Sequence, residues 1–359
     1  VANLPIRSCA LEISPHRADN WTMTEASRKP VLDVAILLAN DGYASTAVGP
    51  IEVFAAAGKM WNEMSGHPSQ PRFRVTMVSV DGAPIESAYG LKIQADASIH
   101  DVSHADLVFV SASGPMPSQW IDRHRDVLPW LLDWRRRGAM LAGVCSGVAF
   151  LAEAGLLDGL RATTHWGVAE DFRHRYPRVD WRADLLITED QGLFCGGGVN
   201  ASTDLSLYLV ERLCGREVAI QCAKALILDM PRLHQSGYAF LPVARSHGDA
   251  QVRGVEEYLH ANFHDCPPIE EVARQAGMSS RTLVRRFKAA TGHLPGEYLQ
   301  MIRVAAARQL LEDGERSVQR AAAMVGYEDT AYFRRVFKRF SGLTPAAYRE
   351  RFRLNLHGG

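Results

Sequence analysis

Apolar positions between residues 31 and 230 fall in short runs set apart by longer stretches of helical period. Val31 to Ala39, Phe73 to Val80, Leu107 to Ala112 and Ala139 to Val144 are the runs of strand length. Between them, Gly49-Pro50 opens an apolar helix with Glu52 near its start. Trp120 to Arg137 reads as a helix broken or kinked at Pro129, and Val148 to Leu156 as another. Gly167 to Tyr176 is predicted helical, Leu185 to Thr188 and Gly192 to Gly198 extended, and Ser202 to Leu213 and Glu217 to Met230 helical. Strands alternating with helices predict an α/β unit: a mostly parallel sheet with helices on both faces.

The pattern changes after Pro231 to Ala250, a stretch mixing Pro, Ser, Gly and His that reads as a linker. Gly254 to Phe263 opens an all-helical region, and from Ile269 to Tyr348 one design is written twice. Leu283 corresponds to Phe333, Phe287-Lys288 to Phe337-Lys338, Gly292 to Gly342, Pro295 to Pro345 and Tyr298 to Tyr348. In each copy a short helix of small apolar residues runs into a glycine, Gly277 or Gly326, suited to a left-handed turn. Ser279 or Ser280, and Asp329 or Thr330, then cap a second helix. Leu283 with Phe287, and Phe333 with Phe337, lie four residues apart and share the buried face. The opposite face carries Arg281, Arg285 and Lys288 in one copy and Arg334, Arg335, Lys338 and Arg339 in the other. A basic helix presented by a tight helix-helix turn suits the DNA major groove. Glu297 to Leu311, apolar at Leu299, Ile302, Ala306 and Leu310, is predicted to join the two heads as one helix.

Charge sharpens this division. The chain of 359 residues is formally neutral, yet residues 251–359 hold 17 basic against 12 acidic side chains, a balance of +5, and the first 250 residues carry −5. Six cysteines, at 9, 145, 195, 214, 222 and 266, form no CxxC and no zinc spacing, so a reducing compartment and no metal are expected. No apolar run reaches membrane-spanning length and no signal-peptide pattern opens the sequence, which suggests a cytoplasmic protein. Residues 1–29 are polar and without period, as in a disordered extension.

In an open parallel sheet, ligands sit beyond the C-terminal strand ends. Those ends carry Gly49-Pro50-Ile51-Glu52, Ser113-Gly114-Pro115 and Gly143-Val144-Cys145-Ser146-Gly147. The last is a strand-turn-helix elbow, with small residues flanking Cys145 where backbones come close. The helix N-terminus behind it is expected to lower the thiol pKa. Glu52 reads either as a pocket carboxylate or as a first-turn carboxylate satisfying its own helix. Gly196-Gly197-Gly198 is neither GxGxxG nor Walker-like; it reads as a close backbone approach at the pocket rim, and no cofactor is inferred.

Residues 251–353 resemble the AraC/XylS-type DNA-binding domain through Gly326-Tyr327, Tyr332-Phe333, Phe337 to Phe340, Gly342 and Thr344-Pro345. The first half resembles the ThiJ/PfpI superfamily, a class I glutamine-amidotransferase-like, flavodoxin-like fold. The matching residues are Gly49 to Phe54, Cys145-Ser146-Gly147, Ala154 to Gly159 and Ala162-Thr163-Thr164-His165-Trp166. Together they resemble the GlxA-type subgroup of AraC regulators. The resemblance implies a ligand-sensing and dimerisation domain at 30–235, a linker at 236–250 and a DNA-binding domain at 251–353. It implies ligand contacts from Glu52, Gly114, Cys145, Ser146, His165 and Trp166. It puts base-edge contacts on Arg281, Val284 and Arg285, then on Thr330, Ala331, Arg334 and Arg335, with Thr282, Lys288 and Lys338 on the same faces. Val284 and Ala331 offer only apolar contacts, for instance to thymine methyls.

Catalytic relatives place His directly after the cysteine, where this chain has Ser146. Hydratase-like ones carry an Asp just before the Gly-Pro, where Ala44 to Val48 supplies only Ser45 and Thr46. The expected function is therefore a DNA-binding transcription regulator, not an enzyme. Its α/β half would sense a small nitrogenous metabolite, and it would act as a homodimer with RNA polymerase. The alternatives are a cysteine-dependent hydrolase or hydratase, with Cys145 as nucleophile, and a redox sensor acting through Cys145.

Overall fold

The computed structural model describes residues 31–352 apart from 115–116, 233, 236–237, 239–246 and 316. The extension 1–29, most of the linker 236–250 and residue 353 lie outside the described residues.

Leu32–Leu37 (β1), Phe73–Ser79 (β2), Ala97–Ser98 (β3), Leu107–Val110 (β4), Met140–Val144 (β5), Ile187–Asp190 (β6) and Leu193–Gly196 (β7) make one sheet. Its order is β6-β7-β5-β4-β1-β2-β3. Every neighbouring pair is parallel except β6 and β7. Those two join through Gln191-Gly192, both at positive φ (47° and 75°), as a tight hairpin needs. The hairpin fixes β6 two residues later than its apolar run suggests, because pairing with Leu193–Gly196 outweighs local hydrophobicity.

Alternate residues of the central strands serve two cores. Val34, Ile36, Phe109 and Val144 pack under Ser45–Ala56 (α1), Ala201–Cys214 (α4) and Arg216–Leu226 (α5), with Phe54 and Leu205. Ala35, Leu37, Val108 and Val110 pack under Val127–Arg136 (α2) and Val148–Glu153 (α3), with Leu131 and Phe150. Burial on both faces is why these strands read as nearly continuous apolar runs.

Two helices differ from the sequence reading. α1 starts one turn before Gly49-Pro50, so Pro50 lies inside it and Glu52 in mid-helix. A Cβ on Gly49 would sit 2.9 Å from Thr203 Oγ1, so α1 and α4 cross closely here, and that packing overrides proline's local preference. The helix expected from Trp120 to Arg137, broken or kinked at Pro129, is two, Pro117–Arg123 and Val127–Arg136, with the interruption placed earlier than expected. The break precedes Pro129, which takes the first turn of α2, where its missing N–H costs nothing.

The second half is helical: Ala250–Asn262 (α6), Ile269–Gln275 (α7), Ser280–Thr291 (α8), Pro295–Glu312 (α9), Val318–Met324 (α10), Thr330–Ser341 (α11) and Pro345–Phe352 (α12). The caps are Ser279, accepting from the Thr282 N–H, and Asp329, accepting from Ala331 and Tyr332. Gly277 and Gly326 take φ of 68° and 83°. Gly326 also backs onto the His264 carbonyl, where a side chain would not fit. α9 buries Tyr298 and Ile302 in a first core with Leu283 and Phe287. It buries Val304, Ala307 and Leu311 in a second core with Phe333 and Phe337. Serving two cores, it is buried on two sides, so of the expected stripe Ile302 is buried while Leu299, Ala306 and Leu310 are half-buried. Among the described residues, no helix is long and apolar enough to cross a membrane.

Phe287 and Phe337 occupy matched positions in separate cores and both are fully buried. Phe287→Ala and Phe337→Ala should each cost about 3–5 kcal/mol, read as a lowered urea midpoint. A loss under about 1 kcal/mol in either would mean that core does not carry its head.

Candidate functional site

The C-terminal ends of β1, β4, β5 and β7 meet at one edge of the sheet, and Cys145 stands in the middle of them. It follows β5 directly and begins a 3-10 turn, Cys145–Gly147, that feeds α3. Its φ is 55°, a left-handed backbone that an L residue adopts at a cost of about 1–2 kcal/mol. A Cβ on Gly147 would lie 2.7 Å from the Val110 carbonyl oxygen and still nearer that of Ser111. Only glycine lets the turn tuck under β4. The Ser146 hydroxyl accepts from the Ser113 N–H at 3.1 Å, joining the elbow to the end of β4. Gly114 follows, buried, with φ 81°. The Ser113 hydroxyl is buried without a hydrogen-bond partner among the described residues.

Burial pushes the Cys145 thiol up to about 11, against smaller lowering effects of the Ser146 N–H and hydroxyl. This corrects the expectation of a depressed pKa: α3 has six residues, and desolvation exceeds what so short a helix offers. The thiol therefore stays protonated at neutral pH, which makes it a poor nucleophile and a poor oxidation target. His165 does not supply the missing base. Its Nδ1 accepts the Gly167 N–H at 3.0 Å, which caps the next turn and leaves the ring proton on Nε2. Burial holds its pKa below the usual histidine value.

The wall beside the elbow comes from Thr163 to Trp166. The Thr164 hydroxyl donates to the Cys145 carbonyl at 2.8 Å. The His165 and Trp166 rings lie 5.1 Å apart and tilted by 32°. The Trp166 N–H donates to Gln235 Oε1 at 3.3 Å. From the β1 side, the buried Thr46 hydroxyl accepts the Ala112 N–H at 3.1 Å. Tyr43, its ring 5.9 Å from that of Tyr89, has its phenol pKa raised by burial, by Tyr89 and by Cys145.

Glu52 does not belong to this group. It is exposed, on the face of α1 opposite Thr46, Pro50 and Val53, and it is not in a first helical turn either. The earlier start of α1 turns Thr46 inward in its place. Gly114, Cys145, Ser146, His165 and Trp166 do stand along this edge. Thr46 and Thr164 stood in the sequence reading without a site role, and Gln235 lies at the very end of the expected sensing domain, within the stretch that reads as linker.

The second half presents two exposed cationic helices. Arg281, Arg285 and Lys288 are exposed on α8, and Arg334, Arg335 and Lys338 on α11, with Ala331 between them and Val284 and Thr330 half-buried. The Thr282 hydroxyl lies 2.9 Å from Ser279 Oγ within the cap. Arg335 lies over the Tyr332 ring at 5.6 Å, and the Tyr332 hydroxyl accepts from Gln300 on α9 at 2.9 Å. Arg339 is withdrawn from the expected cationic face by its ion pair with Glu297, at 3.0 Å. Arg286, between the exposed cations, is bound to Asp249 at 2.6 Å.

An α/β domain with a buried, protonated thiol, in one chain with two matched helix-turn-helix heads, points to a transcription regulator. The DJ-1/PfpI family matches residues 33–212, and a helix-turn-helix domain family matches residues 272–351. The HTH-type transcriptional regulator CdhR of Pseudomonas aeruginosa is 30% identical over 280 residues, covering 76% of this chain and 81% of its own. The HTH-type transcriptional regulator GlxA of Rhizobium meliloti is 27% identical over 285 residues, covering 79% and 86%. The crystal structure of an AraC family transcriptional regulator from Pseudomonas putida aligns with a TM-score of 0.46 and 23% identity, over 54% of this chain and 99% of that one. The chain belongs to the GlxA-type AraC-family regulators, which join a DJ-1/PfpI domain to an AraC-type helix-turn-helix domain. It is a transcription regulator with a helix-turn-helix DNA-binding domain.

The thiol chemistry has a direct check. Iodoacetamide should modify Cys145 slowly through pH 9, with the rate climbing towards pH 11, followed by mass spectrometry of the Cys145 peptide. Rapid modification at pH 7 would contradict a buried neutral thiol.

Proposed function

We propose that this regulator senses a small nitrogenous metabolite at the elbow edge and reads its operator through both heads. In this reading residues 30–235 bind the effector and form a homodimer, 236–250 act as linker and 251–353 bind DNA. The protein works in the cytoplasm, with RNA polymerase as partner. The observation that carries the reading is a polar, buried edge that lacks a reactive thiol. The hydroxyls of Ser113, Ser146 and Thr164 cluster around Cys145, and that of Ser113 has no hydrogen-bond partner among the described residues. Such a hydroxyl can accept from an ammonium or amide N–H, which suits a nitrogen donor. Gly114, Cys145, Ser146, His165 and Trp166 are the proposed contacts, joined by Thr46. Effector binding would act by favouring one arrangement of the two DNA-binding units of the dimer over another.

The raised pKa of Cys145 argues against both the hydrolase and the redox alternatives. A thermal-shift screen of the full chain against small amines, amino acids and their catabolites, run beside Cys145→Ala, tests the reading. A compound that stabilises both proteins, remains unchanged and alters the operator footprint is the expected outcome. A compound consumed by wild type and not by Cys145→Ala would make the first domain an enzyme. Identical footprints with and without a stabilising compound would remove the sensor role.

Base contacts are proposed for Arg281, Val284, Arg285, Thr330, Ala331, Arg334 and Arg335, with Thr282, Lys288 and Lys338 alongside. Arg281→Ala and Arg335→Ala should each cost about 1–3 kcal/mol in operator affinity and relax base preference at one position. Uniform weakening on every sequence, with a smaller salt slope, would make them phosphate contacts instead.

A further inference from the structure

The stretch after α5 reads as linker but is held at both ends. Arg232 is fixed to α4: its backbone N–H reaches Asp204 at 2.8 Å and its guanidinium grips the same carboxylate at 2.5–3.2 Å. His234 pairs with Leu185 as an antiparallel bridge. The Gln235 side chain is buried in the elbow wall. Its Nε2 hydrogens are shared among Thr164 O at 2.7 Å, Leu185 O at 3.0 Å and Thr163 Oγ1 at 3.1 Å. Its Oε1 takes the Trp166 N–H. Gly197 makes the slot, since a Cβ there would strike the Gln235 amide. Three residues on, the Tyr238 hydroxyl accepts from Arg232 Nη1 at 3.1 Å. Its ring meets that of Phe352 edge-on, centroids 5.1 Å apart at 83°, and the Arg351 guanidinium lies 5.9 Å away. Phe352 packs on Tyr348 at 4.6 Å, and Tyr348 meets Phe337 of α11 edge-on at 5.5 Å.

The Gln235 carbonyl accepts the Tyr238 N–H at 2.9 Å, so contacts run from the Cys145 carbonyl through Thr164, Gln235, Tyr238, Phe352 and Tyr348 to the second recognition helix. We propose that Arg232, His234, Gln235 and Tyr238 form a strap that latches the second head to the effector domain, with Gln235 reading the elbow wall and Tyr238 as the catch. Only residues 239–246 separate Tyr238 from His247. His247 is itself fixed to the first head through buried Glu256 at 2.8 Å. Nine Cα steps span at most about 30 Å, so the catch and its receptor stay at high effective concentration and can re-engage after release. A shift of Thr164 or Trp166 on ligand binding would move Gln235, and with it the catch. The strap deepens the sensor reading and rests on it for its purpose, but its existence is tested without any effector.

Two experiments on the full chain do so. A Tyr238→Cys/Phe352→Cys double variant, treated with a short bifunctional methanethiosulfonate, should give an intramolecular cross-link, seen as a faster band on a non-reducing gel. Wild type and both single variants, which control for the native cysteines, should not give it. A double variant no more cross-linked than the single ones overturns the catch. Hydrogen–deuterium exchange then tests coupling. Gln235→Ala, at the far end of the strap, should speed exchange in residues 345–352 about fivefold while residues 280–291 stay unchanged, as Tyr238→Ala should. Acceleration confined to residues 163–166 in Gln235→Ala would overturn the strap as a coupling element. An effector screen without hits, beside a formed cross-link, would remove the sensor reading and leave the latch standing.

Discussion

The left-handed backbone at Cys145 is the constraint from which the α/β half is built outward. Holding an L residue at φ 55° requires the structure around it to over-determine the turn. Here that is done by Gly147 pressed under the Ser111 carbonyl, by Ser146 bonded to Ser113, and by Thr164 bonded to the Cys145 carbonyl. Two of these contacts come from the end of β4 and the third from Thr164, so the elbow is held from two sides by segments distant in sequence.

The same burial that stabilises the elbow silences its chemistry. A nucleophile elbow presents its side chain to substrate and to a base. This one encloses the thiol, keeps it protonated and commits His165 to capping a turn. Scaffold and chemistry have been separated, and what remains is a shaped, polar edge whose response to a ligand would be mechanical. The DNA-binding half is built for transmission as well. α9 contributes side chains to both head cores, so neither head can tilt freely of the other. Arg335 lies over a Tyr332 ring that α9 holds through Gln300, so its position is set by the protein itself.

Much of this was legible in the residues. Apolar runs and helical stripes gave the layers of the sheet. The fifty-residue offset of Phe287 and Phe337 gave the repeat. Gly277 and Gly326 marked turns because left-handed backbone restricts the residues that can serve. Small residues around Cys145 marked the elbow because close backbone approach excludes side chains. These features are local, or periodic, and a sequence records them directly.

Tertiary structure decided the rest. The start of α1 was set by packing against α4, which turned Thr46 towards the site and Glu52 to solvent. The thiol pKa was set by desolvation, a property of everything around Cys145 and of none of its neighbours in sequence. Arg339 was withdrawn from the cationic face by Glu297, forty-two positions earlier, and Gln235 entered the wall seventy-one positions from Thr164. The sequence by itself determined which segments fold and which turns need small residues, because backbone geometry and hydrophobic period act over a few residues. Which side chains face the site, and in what charge state, was left to contacts between distant segments, which only the folded chain brings together.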